Sequence, residues 1–243
     1  MDRKNLFLAL ACFGGALALS KTGTGNQTLG GASTFTGGTT VTGGTLAVTD
    51  NAALGTGAVT INGGTVNLTT TTVTNSVTLV NGSLLGGTVD IATALNAQAG
   101  TISSVLSGVG SLSKTTDGAL SLQGNNTYQG GTTIAGGTVT LGSAGALGDA
   151  TNRLTIAADG TVDVNGQSVT AGSLAGAGAL TGSAGSTVTL GGSTDTTFSG
   201  AIGGAVALNK SGASIQTLAG ASTFSGGTTV TGGTLAVTDN AAL

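Results

Sequence analysis

The chain of 243 residues contains no proline, no histidine and no tryptophan, and all nine of its acidic residues are aspartate. Without histidine and glutamate, the side chains that most often transfer protons in enzymes are missing. A Ser-His-Asp triad and a zinc site of Cys and His ligands are therefore excluded. The single cysteine, Cys12, cannot form an internal disulfide. We expect this chain to have no catalytic residue, no cofactor and no metal ligand.

Charge is also scarce: charged residues make up 6% of the chain, and the formal net charge is −3. Nucleic-acid binding needs clustered lysine and arginine side chains that displace phosphate counterions. The six basic residues here are scattered, apart from Arg3 and Lys4, so we expect no nucleic-acid partner. Low charge often accompanies disorder, but 39% of this chain is hydrophobic and these residues alternate with polar ones, which is not the disordered pattern.

Three long segments repeat along the chain. They begin at residues 19, 112 and 208 and read LSKTGTGNQTLGGASTFTGGTTVTGGTLAVTDNAAL, LSKTTDGALSLQGNNTYQGGTTIAGGTVTLGSAGAL and LNKSGASIQTLAGASTFSGGTTVTGGTLAVTDNAAL. Between 29–54 and 218–243 the first and third copies differ only at Gly30/Ala219 and Thr36/Ser225. Self-similarity at a nearly fixed period is typical of stacked repeat architectures, in which each unit contacts only its neighbours.

A shorter unit recurs within this pattern, as in GGTLAV (43–48) and GGTVNL (63–68). Its period-two alternation predicts strands rather than helices, and its glycines suit sharp corners. We predict a right-handed parallel β-helix (a β-solenoid) of about ten coils, each of roughly 20–26 residues. Four coils would form each long repeat, and the whole rod would be about 50 Å long. A β-sandwich or meander is the alternative, because Asn-Gly between alternating runs also predicts hairpins.

The predicted interior is a narrow ladder of aliphatic side chains. Its members are Leu46, Val48, Val66, Leu68, Val89, Ile91, Val139, Leu141, Val188, Leu190, Leu235 and Val237. Lysine recurs at one repeat position, as Lys21, Lys114 and Lys210, and we interpret these residues as independent, solvated and structural. Asp50 and Asp239 are interpreted as side chains that cap a turn.

The long repeats share Leu-x-Lys-[Thr/Ser], followed by Gly-x-[Ser/Asn]-Thr-[Phe/Tyr]-x-Gly-Gly-Thr-Thr-[Val/Ile]-x-Gly-Gly-Thr-[Leu/Val]. The first copy matches at Leu19, Lys21, Leu29, Gly31, Thr34, Phe35, 37–41 and 43–46, the second at Leu112, Lys114, Leu122, Tyr128, 130–134 and 136–139, and the third from Leu208 and Lys210 to Phe224 and Leu235. This pattern resembles the autotransporter-associated β-strand repeat, and the three matches directly cover under half of the chain.

The resemblance implies a β-helical stalk in the secreted passenger of a type V secretion protein of a Gram-negative bacterium. Such passengers are usually surface adhesins, or stalks that present an active domain. The sequence shows no strands with the aromatic girdle of a membrane barrel and no terminal cap. We therefore expect a chain that is secreted or exposed at the cell surface, held through a translocator outside this sequence.

The N-terminal segment has two interpretations. An apolar run from Leu6 to Leu19 is too short to span a bilayer and fits a secretory signal that is cleaved after Ala18. However, residues 13–21 closely parallel 202–210, so the same run is also ordinary repeat sequence. We assign residues 1–18 to a signal peptide or an unstructured lead, and 19–243 to a single solenoid.

Two groups of residues are candidates for function. Phe35, Tyr128 and Phe224 occupy the only recurring aromatic position, and we expect core packing or contact with a partner, such as a glycan, at these rings. Arg153, Asp159 and Asp163 are the best cluster for catalysis, although two aspartates four apart on a strand are about 13 Å apart. Solvated residues at a coil edge are the preferred interpretation.

The sequence favours a non-enzymatic rod that acts in adhesion or presentation. The alternatives are a polysaccharide-acting β-helix enzyme and a Thr-rich ice-binding solenoid, although Thr-x-Thr does not occur once per coil on one face. We expect as partners a host-surface or matrix ligand, or a second copy of the chain, because open strand edges at solenoid ends invite pairing.

Overall fold

In the computed structural model, which describes residues 14–243, strands pair in parallel with strands one turn before and one turn after them. The fold is all-β: the predicted parallel β-solenoid is confirmed, with about eleven turns, and the described residues contain no helix. A helix that could cross a membrane is accordingly absent from residues 14–243. Cys12 and most of the predicted signal segment lie outside the described residues.

Each turn has three faces, which we number in the direction of the chain. Face 1 contains β1 (Leu19–Lys21), β3 (Thr39–Val41), the first parts of β5 (Val59–Asn67) and β7 (Val77–Leu85), β9 (Ala94–Ala97), β12 (Ser111–Lys114), the first parts of β14 (Thr132–Leu141) and β15 (Arg153–Asp163), β17 (Ser173–Gly176), β20 (Thr196–Phe198), β23 (Ile215–Leu218) and β25 (Thr234–Val237). Face 2 contains β2 (Asn26–Leu29), β4 (Thr45–Val48), the second parts of β5, β7, β14 and β15, and β10 (Gly100–Ile102), β13 (Ala119–Leu122), β18 (Ala179–Thr181) and β21 (Ala201–Ile202).

Face 3 has fewer regular strands. It contains β6 (Thr72–Val73), β8 (Thr88–Asp90), β11 (Val105–Ser107), β16 (Ser168–Ala171), β19 (Thr187–Leu190), β22 (Ala207–Lys210) and β24 (Thr228–Val230). Elsewhere on this face backbone hydrogen bonds between turns continue without a regular strand, as from Thr127 N to Leu106 O at 2.8 Å. The ladder on face 1 has twelve strands, so at about 4.8 Å per step the rod is about 50 Å long.

The core is the aliphatic ladder that the alternation predicts. Leu46 and Val66 face each other in adjacent turns and are almost completely buried, because alternate residues of a strand point to the same side. The predicted core residues up to Leu190 are all buried, whereas the last two are not. Leu235 is only partly buried and Val237 is 41% exposed, because no described turn lies over β25.

The long repeat is not built from four turns. Following face 1, Leu19 pairs with Thr39, Thr39 with Val59, and the ladder reaches Leu112 after five turns. From Leu112 the same ladder reaches Thr196 in four turns, and Leu208 then lies on face 3. The third copy is therefore rotated by one face relative to the first two.

The short units are unevenly spaced because turns differ in length and because some steps include an additional face. Thr45 pairs directly with Thr65, and Thr138 pairs directly with Thr161, so each of these steps is a single turn. Thr88 instead lies on face 3, so the step from Thr65 to Thr88 is one turn plus one face. Some single turns therefore contain fewer residues than the spacing between successive short units suggests. One example is the turn that leads from Leu95 to its direct partner Leu112.

Leu46 and Leu235 allow a matched test of this core, since they occupy the same position in nearly identical sequences. Leu46→Ala should lower the free energy of unfolding by about 2–5 kcal/mol, because the deleted methyl groups are fully buried. Leu235→Ala should cost less than half as much. Guanidinium unfolding followed by circular dichroism measures both, and equal losses would contradict the difference in burial.

Candidate functional site

The recurring aromatic position belongs to the core. Phe35 is 1% exposed and Tyr128 is completely buried, whereas Phe224, near the C-terminal end, is half-buried. The Tyr128 hydroxyl lies 2.5 Å from Thr132 Oγ1. Burial raises the pKa of Tyr128, and this hydrogen bond only partly offsets the increase. Phe35 and Tyr128 therefore present no surface to a partner, and contact with a partner remains a prediction for Phe224 alone.

Glycines in the following turn cover the two buried rings. A Cβ atom on Gly55 would lie 2.3 Å from Phe35 O, and one on Gly148 would lie 2.7 Å from Tyr128 O. Both glycines also have positive φ, at 62° and 79°. The aromatic ring and the glycine in the next turn are thus one packing unit, in which glycine is required by space as well as by conformation.

The recurring lysines are buried rather than solvated, which corrects the interpretation from sequence. Lys114 and Lys210 are completely buried, and Lys21 is partly buried. Each ammonium group donates to a carbonyl slightly further along the chain: Gly23 O, Thr116 O and Gly212 O, respectively. Backbone carbonyls at a corner therefore bind these cations.

A second carbonyl comes from the next turn in two of the three copies. Lys21 Nζ donates to Gly43 O at 2.9 Å, and Lys210 Nζ donates to Gly232 O at 3.4 Å. The adjacent Gly44 and Gly233 have φ of 60° and 62°, and a Cβ on either would lie within 2.8 Å of the lysine nitrogen. The lysine and the Gly-Gly pair of the next turn thus form one corner, which explains why they recur together.

Burial has an electrostatic consequence at Lys114. Desolvation lowers the pKa of its ammonium group from the ordinary value, and the nearby carboxylate of Asp117 partly offsets this effect. Hydrogen bonds from a charged donor to several carbonyls reduce the cost of burying the cation. We interpret the lysine corners as structural.

Sequence reasoning missed a further set of buried amides that join turns. Asn126 accepts from Leu106 N at 2.9 Å and donates to Ala146 O at 2.8 Å, so it links the turns on either side of its own. Gln216 accepts from Leu174 N at 3.1 Å and donates to Leu174 O at 2.8 Å, two turns away. Strands β17 and β20 pair only at Gly176 and Phe198, so the amide replaces missing ladder bonds.

Most aspartates with side-chain hydrogen bonds act locally, whereas Asp195 accepts from Ile215 N in the next turn at 2.7 Å. Asp50 accepts from Ala52 N at 2.9 Å and Asp239 from Ala241 N at 2.8 Å, which agrees with the predicted turn capping. Asp149 accepts from the hydroxyl and the backbone N–H of Thr151, and these bonds lower the pKa of Asp149. Groups of three or more acidic or cysteine side chains that could hold a metal ion do not occur in residues 14–243.

The best catalytic candidates all lie on β15, but at different places. Arg153 begins the strand, Asp159 pairs with Gly136 at a corner, and Asp163 ends it. Asp163 accepts from Asn165 N at 2.9 Å, which is a turn-capping bond. The structure does not gather these three side chains around one cavity.

Arg153 instead lies in a groove at the corner between faces 3 and 1. One part of the groove, of about 410 Å³, is lined by Thr151, Arg153, Gly172, Ser173 and 191–194. A neighbouring part, of about 180 Å³, shares Thr151 and Arg153 and extends to 129–133. The groove thus spans four successive turns, or about 14 Å along the rod.

Glycine gives the groove its depth, and Arg153 gives it its charge. A Cβ on Gly172 would lie 2.1 Å from Thr151 O, so the turns approach closely there without side chains. Arg153 is exposed, and within the described residues its guanidinium group has no hydrogen-bond or ion-pair partner. An unpaired guanidinium beside hydroxyl groups suits an anionic ligand that also accepts and donates hydrogen bonds.

A row of hydroxyl groups runs along face 1 next to the groove. One outward position per turn carries threonine or serine in most turns, interrupted by Asn96 and Ala175. Its members are Ser20, Thr40, Thr60, Thr78, Ser113, Thr133, Thr155, Thr197 and Thr217. The row is one hydroxyl wide over most of its length, because the next outward position after Thr60 is asparagine and after Thr133 is alanine. A second exposed threonine widens it only at Thr22, Thr42 and Thr115.

Comparison with known proteins identifies the repeat. A family model described as the passenger-associated-transport-repeat matches residues 19–48, 112–141 and 208–237, which together make up less than half of the chain. Searches of curated proteins and of solved structures gave no significant match. Three segments of the chain therefore match the passenger-associated-transport-repeat, in the registers found from the sequence, and this confirms the resemblance to an autotransporter passenger repeat.

The lysine corner leads to a prediction on pH. Lys114→Met removes the donor to Thr116 O and should lower the free energy of unfolding by about 1–3 kcal/mol near neutral pH. Because the folded-state pKa of Lys114 is lowered, the unfolded chain binds more protons between that value and the ordinary lysine pKa. The stability of the unsubstituted protein should therefore rise with pH through this window, and the methionine variant should lack that contribution.

Chemical denaturation at a series of pH values between 7 and 10 measures this difference. Lys21→Met is the matched control, because Lys21 has the same repeat position but is only partly buried. An unchanged pH dependence in Lys114→Met would show that the Lys114 ammonium is solvated as the sequence suggested.

Proposed function

We propose that this chain is a section of a secreted passenger and acts as a non-enzymatic stalk on the surface of a Gram-negative bacterium. The observation that carries the proposal is that three segments of one continuous solenoid match the passenger-associated-transport-repeat. In this proposal the chain reaches the surface by type V secretion and is held there by an outer-membrane translocator.

The architecture supports a stalk because both backbone hydrogen bonds and the packed interior join each turn to the next. Backbone bonds link each turn to the next on the outside, and an unbroken aliphatic ladder fills the inside from Leu29 to Leu218. Each turn buries its apolar residues only against its neighbours, so rod length increases with turn number without changing the cross-section. A rod of this kind holds an attached domain about 50 Å from its base.

The placement of titratable residues also favours a structural role. Asp50 and Asp163 cap turns, Asp195 accepts from Ile215 N in the next turn, and the recurring lysines donate to corner carbonyls. Both groups of side chains therefore stabilise the backbone. These assignments account for most of the charged residues between 14 and 243 without a catalytic step, and they make a polysaccharide-cleaving enzyme the weaker alternative.

Adhesion is a second function that one observation favours: the unpaired Arg153 in the hydroxyl-lined groove. In this proposal a carboxylate-bearing glycan lies along the groove, with its carboxylate on the Arg153 guanidinium and its hydroxyls against Ser173, Ser193 and Thr194. The ligand would be part of a host surface or matrix, and virulence would follow from attachment. A hydroxyl row on face 1 that a second threonine widens only at Thr22, Thr42 and Thr115 gives little support to ice binding.

Surface display tests the stalk. Residues 19–243 with an N-terminal epitope would be placed between a signal sequence and the translocator of a type V secretion protein in a Gram-negative host. The epitope should become accessible to antibody and to added protease on intact cells. In a matched chain, Val48, Val66 and Leu84 are replaced by aspartate, which disrupts three buried core positions. This chain should not form a protease-resistant stalk, so it should fail to hold the epitope. Retention of the unsubstituted chain inside the cell would contradict the proposal.

Substitution of Arg153 tests adhesion separately. Arg153→Gln should weaken binding to a carboxylated polysaccharide by roughly tenfold or more, because one charge-assisted contact is lost. Binding to a neutral polysaccharide should be unchanged, and Arg153→Lys should restore only part of the affinity because lysine lacks the planar fork. Sedimentation of the purified chain with insoluble polysaccharide measures these affinities. Equal binding by all three proteins would exclude the groove as the adhesive site.

A further inference from the structure

Asparagine followed directly by glycine occurs three times in the chain, at Asn62, Asn81 and Asn165. All three asparagines are exposed at corners of the solenoid: Asn62 and Asn81 between faces 1 and 2, and Asn165 between faces 2 and 3. Such a pair can react without an enzyme, because the backbone nitrogen of the glycine can attack the side-chain amide of the asparagine. The hydrogen bonds around these pairs differ in a way that bears directly on this reaction.

Asn81 and Gly82 hold the two reacting groups together. Gly82 N donates to the Asn81 side-chain oxygen Oδ1 at 2.8 Å. The carbonyl carbon bonded to this oxygen therefore lies within about 4 Å of the same nitrogen. Reacting atoms this close need little further movement to meet. Glycine also has no Cβ that would hinder the approach.

Strand pairing does not hold Gly82 in place. Towards the preceding turn, β7 pairs with β5 at Asn81 and next at Ser83, with register shifts on both sides of Asn62. Towards the following turn, the pairing of β7 with β10 begins at Ser83. Gly82 thus lies in a break between paired stretches, so its nitrogen can move without separating a paired strand.

At Asn165 the two reacting groups are bound to other partners. Gly166 N donates to Ser186 Oγ at 2.9 Å, in the next turn. The Asn165 side-chain nitrogen Nδ2 donates to Leu141 O at 3.3 Å, in the preceding turn. The bond to Ser186 must break before Gly166 N can attack, and a typical hydrogen bond corresponds to roughly a fivefold change in rate.

We propose that Asn81 is a spontaneous modification site, at which Gly82 N closes onto the side-chain amide. A bond forms between Gly82 N and Asn81 Cγ, and the bond from Cγ to Nδ2 breaks. Nδ2 leaves as ammonia, and the proton lost by the glycine nitrogen completes it. Water then opens the cyclic imide at either of its carbonyls, which yields aspartate or isoaspartate.

The modification changes the corner in charge and in geometry. Both products carry a carboxylate where Asn81 was neutral, opposite Asn62 in the preceding turn. Isoaspartate also lengthens the main chain by a methylene group before Ser83. Because pairing depends on register, this change weakens the bonds of Ser83 and Leu84 to both neighbouring turns. The modified rod should therefore open first at this turn.

Incubation of the full chain at neutral and mildly alkaline pH, followed by peptide mass spectrometry, measures the reaction. In the folded protein Asn81 should react faster than Asn165 by roughly fivefold or more, because Gly166 N must first leave Ser186. Both rates should rise with pH, since the glycine nitrogen attacks after it loses its proton. In denaturant the two sites should react at similar rates, because each asparagine precedes glycine and the fold no longer distinguishes them.

Variants of the protein separate the two sites. Ser186→Ala removes the partner of Gly166 N and should raise the rate at Asn165 several-fold without changing the rate at Asn81. Ser168→Ala is the matched control: Ser168 is exposed, two residues after Gly166, and its substitution should leave both rates unchanged. Asn81→Gln should abolish the modification and also the protease cleavage near residue 81 that appears after incubation.

Equal rates at Asn81 and Asn165 in the folded protein would overturn the proposal. An unmodified Asn81 after a period that converts the denatured chain completely would overturn it as well. Circular dichroism establishes that Ser186→Ala keeps the fold. An unchanged rate at Asn165 in that folded variant would refute the protection by Ser186 on which the difference between the two sites depends.

Discussion

The structure depends on one constraint: the N–H and C=O groups of each turn must be satisfied by the turns directly above and below. A short parallel strand has no partner within its own turn, so its hydrogen bonds exist only if the next turn arrives in register. The chain meets this requirement at nearly regular intervals over about eleven turns. Aliphatic side chains fill the interior, and their alternation keeps each strand facing the correct way.

Corners are where this constraint is hardest to meet, because the backbone turns away from the ladder and leaves carbonyls pointing inward. Two kinds of side chain satisfy these groups. Lysine ammonium groups bind carbonyls at Gly23, Gly43 and Gly212. Buried amides such as Asn126 connect the turns on either side of them. Polar residues that a hydropathy argument places on the surface are therefore part of the interior.

The sequence predicted the fold class because alternation and glycine corners are local signals that a solenoid repeats many times. It did not predict the number of turns in a long repeat, since Thr65 and Thr88 resemble successive units although they lie on different faces. It also placed Lys114 and Lys210 in solvent, because lysine is usually exposed and the local sequence gives no sign of the corner carbonyls that bind these two side chains. The groove was missed for a related reason: Thr151, Gly172 and Thr194 converge only through stacking, and their local sequences carry no motif.

The rotation of the third copy by one face has a consequence for how such chains change length. The same sequence folds in the same pairing register on face 1 in one place and on face 3 in another, so the cross-section is close to threefold symmetric for this repeat. Recombination between copies therefore need not preserve a whole number of turns to give a continuous ladder. A gain or loss of sequence that shifts a repeat by one face therefore still lets its strands pair with the neighbouring turns.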